Sequence, residues 1–250
     1  MDDFIELVKP LIQKIVTANN PPFHSLIDTG ALITGYTNKQ VAQQLLDKGL
    51  EWCEGVVFLD DNDRQQVLVR ATGRVVNADQ CGVPLEKRFA FYDQIHTTGM
   101  DIKHVVNATA VITLGKDMVF RDYVQGAYRM RGIGQGQKIC IFIIPEVNEL
   151  MNRELKSCSI QQEKNSKEHV LENVVAWLII NSLRSEQTQW TMLCLQNISN
   201  LYRKNAFECL HKNIRRLIHI SDGCNIEDFE KSSERTERAK FIDDLSRDSA

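Results

Sequence analysis

His96-Thr97-Thr98-Gly99-Met100-Asp101-Ile102 and Gln125-Gly126-Ala127-Tyr128-Arg129-Met130-Arg131 are the stretches on which the fold reading turns. The run Phe89-Ala90-Phe91-Tyr92-Asp93 leads into the first, and Thr109-Ala110-Val111-Ile112-Thr113-Leu114 separates it from the second. Both runs are apolar without clean alternation, as strands buried on two faces are. The second gives way to a predicted helix near 119–131, on which Gln125 and Arg129, four apart, share a face. Strands of this kind interleaved with helices specify an α/β fold with a mostly parallel sheet.

Upstream, Leu11, Ile12 and Ile15 continue a helical period that begins at Phe4, and Pro21-Pro22 stops it, so residues 1–19 read as an N-terminal helix. His24 to Ile33 reads as a buried strand. Thr37 or Asn38 caps a short helix that buries Val41, Ala42, Leu45 and Leu46 and ends at Gly49. Gly55–Leu59, the polar Asp60-Asp61-Asn62-Asp63 and Gln66–Val69 read as strand, turn, strand. Residues 70–88 read as a loop.

Downstream, Lys138–Ile144 reads as the last strand, with Cys140 in the core, and the sheet lobe is expected over 20–146. A helical extension follows over 147–220. Its apolar stripes are Val170, Leu171, Val174, Trp177 and Leu178, then Phe207, Leu210, Ile214, Leu217 and Ile218. Arg203, Lys204, Lys212, Arg215 and Arg216 read as a solvated helix face. From 221 to 250, nine acids and five bases with little apolar material imply a disordered acidic tail.

At 250 residues and 43% hydrophobic, the chain can bury one large core with an appendage. A net charge of −3 supplies no basic field for nucleic acid. No apolar run reaches the roughly 18 residues that would cross a membrane. Seven scattered cysteines without a Cys-x-x-Cys pair indicate neither zinc site nor disulfide framework, and suit reduced thiols in the cytoplasm or nucleus. No metal or cofactor is called for.

The paired segments resemble the C-terminal RecA-like lobe of superfamily 2 helicases and the SecA translocase. In such lobes a Thr-x-x-Gly-x-Asp-Ile turn and a Gln/Arg helix meet at the nucleotide, where guanidinium stabilises charge in phosphoryl transfer. The resemblance implies that Thr98, Gly99, Asp101, Gln125 and Arg129 converge at the carboxyl ends of adjacent parallel strands. The usual second arginine falls on Gly132, leaving Arg131 as the available base. At about 100° per residue, a continuous helix would point Arg129 toward Asp101 and Arg131 away. No Gly-x-x-x-x-Gly-Lys-Ser/Thr occurs, and Gly132–Lys138 precedes a strand rather than a helix, so this lobe has no phosphate loop of its own.

From Phe91 to Pro145 the chain is also similar to the C-terminal region of a family of very large eukaryotic proteins. The likeness rests on Tyr92, Asp93, His96, Gly99 and Asp101, on Thr113-Leu114-Gly115, and on Gln125, Arg129, Met130, Arg131, Gly134, Gly136 and Gln137. Asp93-Gln94-Ile95-His96 stands where many relatives have Asp-Glu-Ala-His. These proteins are usually called ubiquitinyl hydrolases. The resemblance implies thiol-dependent removal of ubiquitin from protein conjugates, with ubiquitin or ubiquitinated proteins and upstream domains of the same protein as partners.

That activity needs a cysteine, a histidine base and an orienting acid or amide. Cys81 with His96 is the candidate pair, against a free loop thiol and a turn-stabilising histidine. The competing reading is a degenerate or partner-dependent nucleotide-driven lobe that acts as structure for chemistry elsewhere. Asp28-Thr29-Gly30 matches an aspartic-protease loop, but no second copy exists to meet it. Asp60–Asp63 lacks the ligand alternation and glycine of a calcium loop and reads as a hairpin turn.

Overall fold

The computed structural model of the chain describes residues 2–18, 22–158 and 167–219. The tail expected over 221–250 lies outside the described residues. Met1–Gln187 and Thr188–Ala250 form two compact units.

The first unit is built on one sheet of seven strands. In chain order these are β1 (Ser25–Ile27), β2 (Gly55–Leu59), β3 (Gln65–Val69), β4 (Val75–Asn77), β5 (Arg88–Tyr92), β6 (Thr109–Thr113) and β7 (Lys138–Phe142). Across the sheet the order is β4-β3-β2-β5-β1-β6-β7. β1, β2, β5, β6 and β7 run parallel, while β2, β3 and β4 form an antiparallel meander at one edge. The α/β class and the mostly parallel sheet therefore stand as expected.

Alternate residues of each central strand enter opposite cores. Leu26, Val56, Phe58, Phe89, Phe91 and Val111 pack with α1 (Asp2–Thr17) and α2 (Asn38–Lys48). Ile27, Val57, Ala90, Tyr92, Ala110 and Ile112 pack on the other face with Ile102, Ala127 and Met130. Burial on both sides is why these strands show no polar alternation. α2 starts as its sequence specifies: Thr37 Oγ1 accepts the Gln40 N–H (3.2 Å) and the Gln40 amide accepts the Thr37 N–H (2.8 Å), a closed capping box.

Several sequence expectations are corrected. Residues 70–88 are not a plain loop, because β4 within them completes the meander and two short 3₁₀ turns follow. The strand expected over His24 to Ile33 stops at Ile27, and from Gly30 onward the chain turns, with the Leu32 and Ile33 N–H groups held by the Asp28 carboxylate. Cys140 is exposed rather than core, since β7 is the sheet edge. The Gln/Arg helix, α3, spans Phe120–Ala127 and ends before Arg129 and Arg131.

Beyond the sheet, α4 (Pro145–Ser157) and the start of α5 (Lys167–His219) share an apolar cluster with Leu114 and Met118. Val174, Trp177 and Leu178 of the first stripe are buried there, whereas Val170 and Leu171 are exposed. Trp177 donates its indole N–H to Glu154 (3.0 Å), and Glu154 also pairs with Arg184 (2.8 Å). In the second unit, Phe207, Leu210, Arg203, Lys204 and Lys212 are exposed on the helix, and the side chains of Arg215 and Arg216 lie outside the described residues. Among the described residues no helix is long and apolar enough to cross a membrane.

Candidate functional site

After β1 the chain departs toward β2 through α2 on one face, and after the adjacent β6 it departs toward β7 through α3 on the other. Such a divergence opens a crevice beyond the carboxyl ends of the two strands, the usual ligand position in open α/β sheets. The loops on either side touch backbone to backbone. A Cβ on Gly30 would lie 2.6 Å from Gly115 N, and one on Gly115 would lie 2.6 Å from Gly30 O. Gly126 lets α3 press on β1, since a Cβ there would meet the Thr29 methyl.

Asp28 organises this junction. Its carboxylate accepts the N–H groups of Leu32 (3.0 Å) and Ile33 (2.9 Å) and the Thr113 hydroxyl (2.7 Å). The same Thr113 oxygen accepts the Gly30 N–H (3.0 Å), and Thr29 donates its hydroxyl to the Thr113 carbonyl. Burial pushes the Asp28 carboxyl above the usual carboxylate range, and these hydrogen bonds work against that shift. The reading of Asp28-Thr29-Gly30 as a protease loop is not realised: its acid is spent on its own loop and on β6.

The crevice holds about 920 Å³. Leu32, Met118, Ile144, Val147 and Leu150 give it apolar walls. Its polar rim comes from Gln94 and Thr98 after β5, Lys116 and Asp117 after β6, Gln125 on α3, and Glu146 and Arg153 on α4. Among the described residues these seven side chains make no hydrogen bond or ion pair, whereas Asp122 and Thr97, which also line the crevice, accept the Val119 N–H (3.1 Å) and donate to the Gln94 carbonyl (2.8 Å) respectively. Sequence reading found Thr98 and Gln125 but missed the α4 wall, which carries no motif, only an ordinary amphipathic pattern.

The other motif residues form a second cluster. Arg129 is buried and donates to the Met100 carbonyl (2.6 Å) and Asp101 (2.8 Å), meeting the expectation for that side chain. Arg131 does not point away. It grips both oxygens of Asp101 (2.7–3.0 Å). α3 ends at Ala127, and Arg129 N and Met130 N bond three residues back, so the 100° step no longer applies by Arg131. Gly99 has φ +86° and open space about its Cα, so glycine serves the left-handed turn here and not a close approach. Gly99, Asp101 and Arg129 do not line the crevice that holds Thr98 and Gln125.

No known protein family, curated protein or solved structure matches the chain.

His96 is buried, with Nδ1 against Asp93 and Nε2 3.0 Å from Asp63 on the β2–β3 turn. An acid on Nδ1 is how a catalytic imidazole is oriented. Its other nitrogen, however, faces a second carboxylate, and the structure does not bring Cys81 to it. Cys81 is half-buried, packed against the α3-side core, with its carbonyl accepting Arg88 (3.0 Å). Asp60–Asp63 is the expected hairpin turn, with the Asp60 carboxylate accepting the N–H groups of Asn62 and Arg64 (3.0 Å each). Among the described residues no group of three His, Cys, Asp or Glu side chains is placed to hold a metal ion.

Proposed function

We propose that this chain is a RecA-like lobe that binds rather than cleaves, within a larger ubiquitin-directed thiol hydrolase whose nucleophile is not Cys81. The family resemblance of residues 91–145 motivates the hydrolase, and one observation supports the binding role: both nitrogens of His96 face carboxylates, and neither hydrogen-bonds to Cys81. Thiol attack on an isopeptide carbonyl requires an imidazole that takes the thiol proton and later delivers it to the leaving amine. His96 serves instead as a tie between Asp93, at the end of β5, and the hairpin turn.

A ubiquitin vinyl sulfone tests this. The full-length protein is expected to label, to label equally after Cys81→Ala, and residues 1–250 alone are expected not to label. Labelling of residues 1–250 that Cys81→Ala abolishes overturns the binding role, and a full-length protein that never labels overturns the hydrolase.

The second reading, a partner-dependent nucleotide-driven lobe, draws on Thr98 and Gln125 sharing one crevice at the carboxyl edge. It expects ATP turnover by the full-length protein that falls on Gln125→Ala, and no turnover at all would exclude it.

A further inference from the structure

We infer that residues 188–202 of α5 pair with the same residues of a second copy of this chain, as two antiparallel helices. These residues carry no Asp, Glu, Lys, Arg or His, and charge returns only after them, at Arg203 and Lys204. Yet Trp190 is 70% and Leu201 61% exposed, and Leu193 and Ile198 are exposed as well. Single apolar side chains on a surface are ordinary. A run of them with no charge among them marks a surface that another surface covers.

The pattern selects the partner. Trp190, Cys194, Asn197 and Leu201 follow at steps of four, three and four, the spacing of a coiled-coil seam. At about 100° per residue they fall within about 60° of one another around the helix, with Leu193 flanking one side and Ile198 the other. The seam runs large, small, small, large, and so has the same profile from either end. Two-fold pairing demands that symmetry, because whatever residue i meets must meet i in return. Turned end for end, a second copy sets the partner's Leu201 against Trp190 and the partner's Asn197 against Cys194, and each pair occurs twice. Run in parallel, Trp190 would meet the partner's Trp190 and crowd one outer layer, whereas the antiparallel arrangement gives both outer layers equal volume. Shifted registers would set the Asn197 amide against an apolar outer layer, which penalises them. A charged partner would give up hydration and find no counter-charge along 188–202, while a copy of the stretch brings no charge to desolvate.

At 1.5 Å per residue the stretch is about 22 Å long, so the paired area is small and the dimer is expected in the micromolar range. Sedimentation velocity on residues 1–250, from about 1 to 500 μM, is expected to show a reversible monomer–dimer equilibrium. Trp190→Lys and Leu201→Lys should each raise its dissociation constant about tenfold or more, and Met192→Lys should leave it unchanged. Met192 is also exposed but lies about half a turn from the seam. All three side chains project from the helix, so unchanged helical circular dichroism is expected of each variant. Direction is read with the photoreactive variant Trp190→p-benzoylphenylalanine, whose cross-linked dimer is mapped by mass spectrometry. Attachment is expected on the partner at 198–204. A chain that stays monomeric throughout, a dimer indifferent to both seam variants, or attachment on the partner at 187–194 each overturns the inference.

Discussion

At Asp101 two arginines hold one carboxylate, yet their environments differ enough to separate their contributions. Arg129 is about nine-tenths buried, and its loss strands the Met100 carbonyl and takes one of the donors from Asp101. We expect Arg129→Ala to cost about 1.5–3 kcal/mol by urea denaturation, the range for hydrogen bonds to charged groups. Arg131 and Asp101 are each about half exposed, so Arg131→Ala should cost under about 1 kcal/mol. Equal midpoints for the two variants would refute this division. His104 adds a pH dependence: burial lowers its pKa from 6.5 to about 4. The unfolded chain then binds the proton first, so the stability it contributes is present above about 6.5 and is lost as the pH falls toward 4, by up to roughly 3 kcal/mol. Replacing His104 with Phe should flatten the stability profile across that window. An unchanged slope would assign the acid sensitivity elsewhere. Asp28 has the opposite sign, since a raised carboxyl withdraws stability as the pH rises through its folded pKa.

At the scale of elements, the helix start at Thr37 is the clearest case of sequence dictating structure. Thr37→Ala opens the capping box and should cost about 1 kcal/mol in thermal denaturation, and a shift indistinguishable from that of the exposed Lys39→Ala would show the cap to be idle. The parallel strands were legible because burial on both faces leaves unbroken apolar runs such as Phe89–Tyr92 and Thr109–Thr113. β4 was not, because Val75, Val76 and Asn77 are three residues at a sheet edge and carry no pattern of their own. α3 was over-extended because Tyr128 to Arg131 keep good helix formers while the backbone tightens after Gly126. Two of the seven rim side chains were legible, Thr98 and Gln125. Gln94, Lys116 and Asp117 lie on loops that carry no motif, and Glu146 and Arg153 of α4 acquire meaning only when β7 delivers that helix beside the β6 loop.

For the molecule as a whole, the first turns of α5 act on the crevice at a distance in sequence. Asn181 donates to the Met118 carbonyl (3.0 Å) and Ser182 accepts from Phe120 N (3.0 Å), so one turn of α5 holds the β6–α3 loop. Trp177→Ala empties the cluster beneath that turn and should cost about 3–5 kcal/mol, with faster amide exchange at residues 115–120. Exchange there that stays slow would separate α5 from the loop. The contact between Gly30 and Gly115 carries a consequence of another kind. Two main chains meet with no side chain between them, so Gly30→Ala forces backbone against backbone, whereas Gly82→Ala adds a methyl to open space. Substitution therefore cannot retune the bottom of this cleft. The cleft can be reshaped only at its walls and rim, on α3, α4, the loop after β6 and the segment at 94–98, while its floor stays fixed.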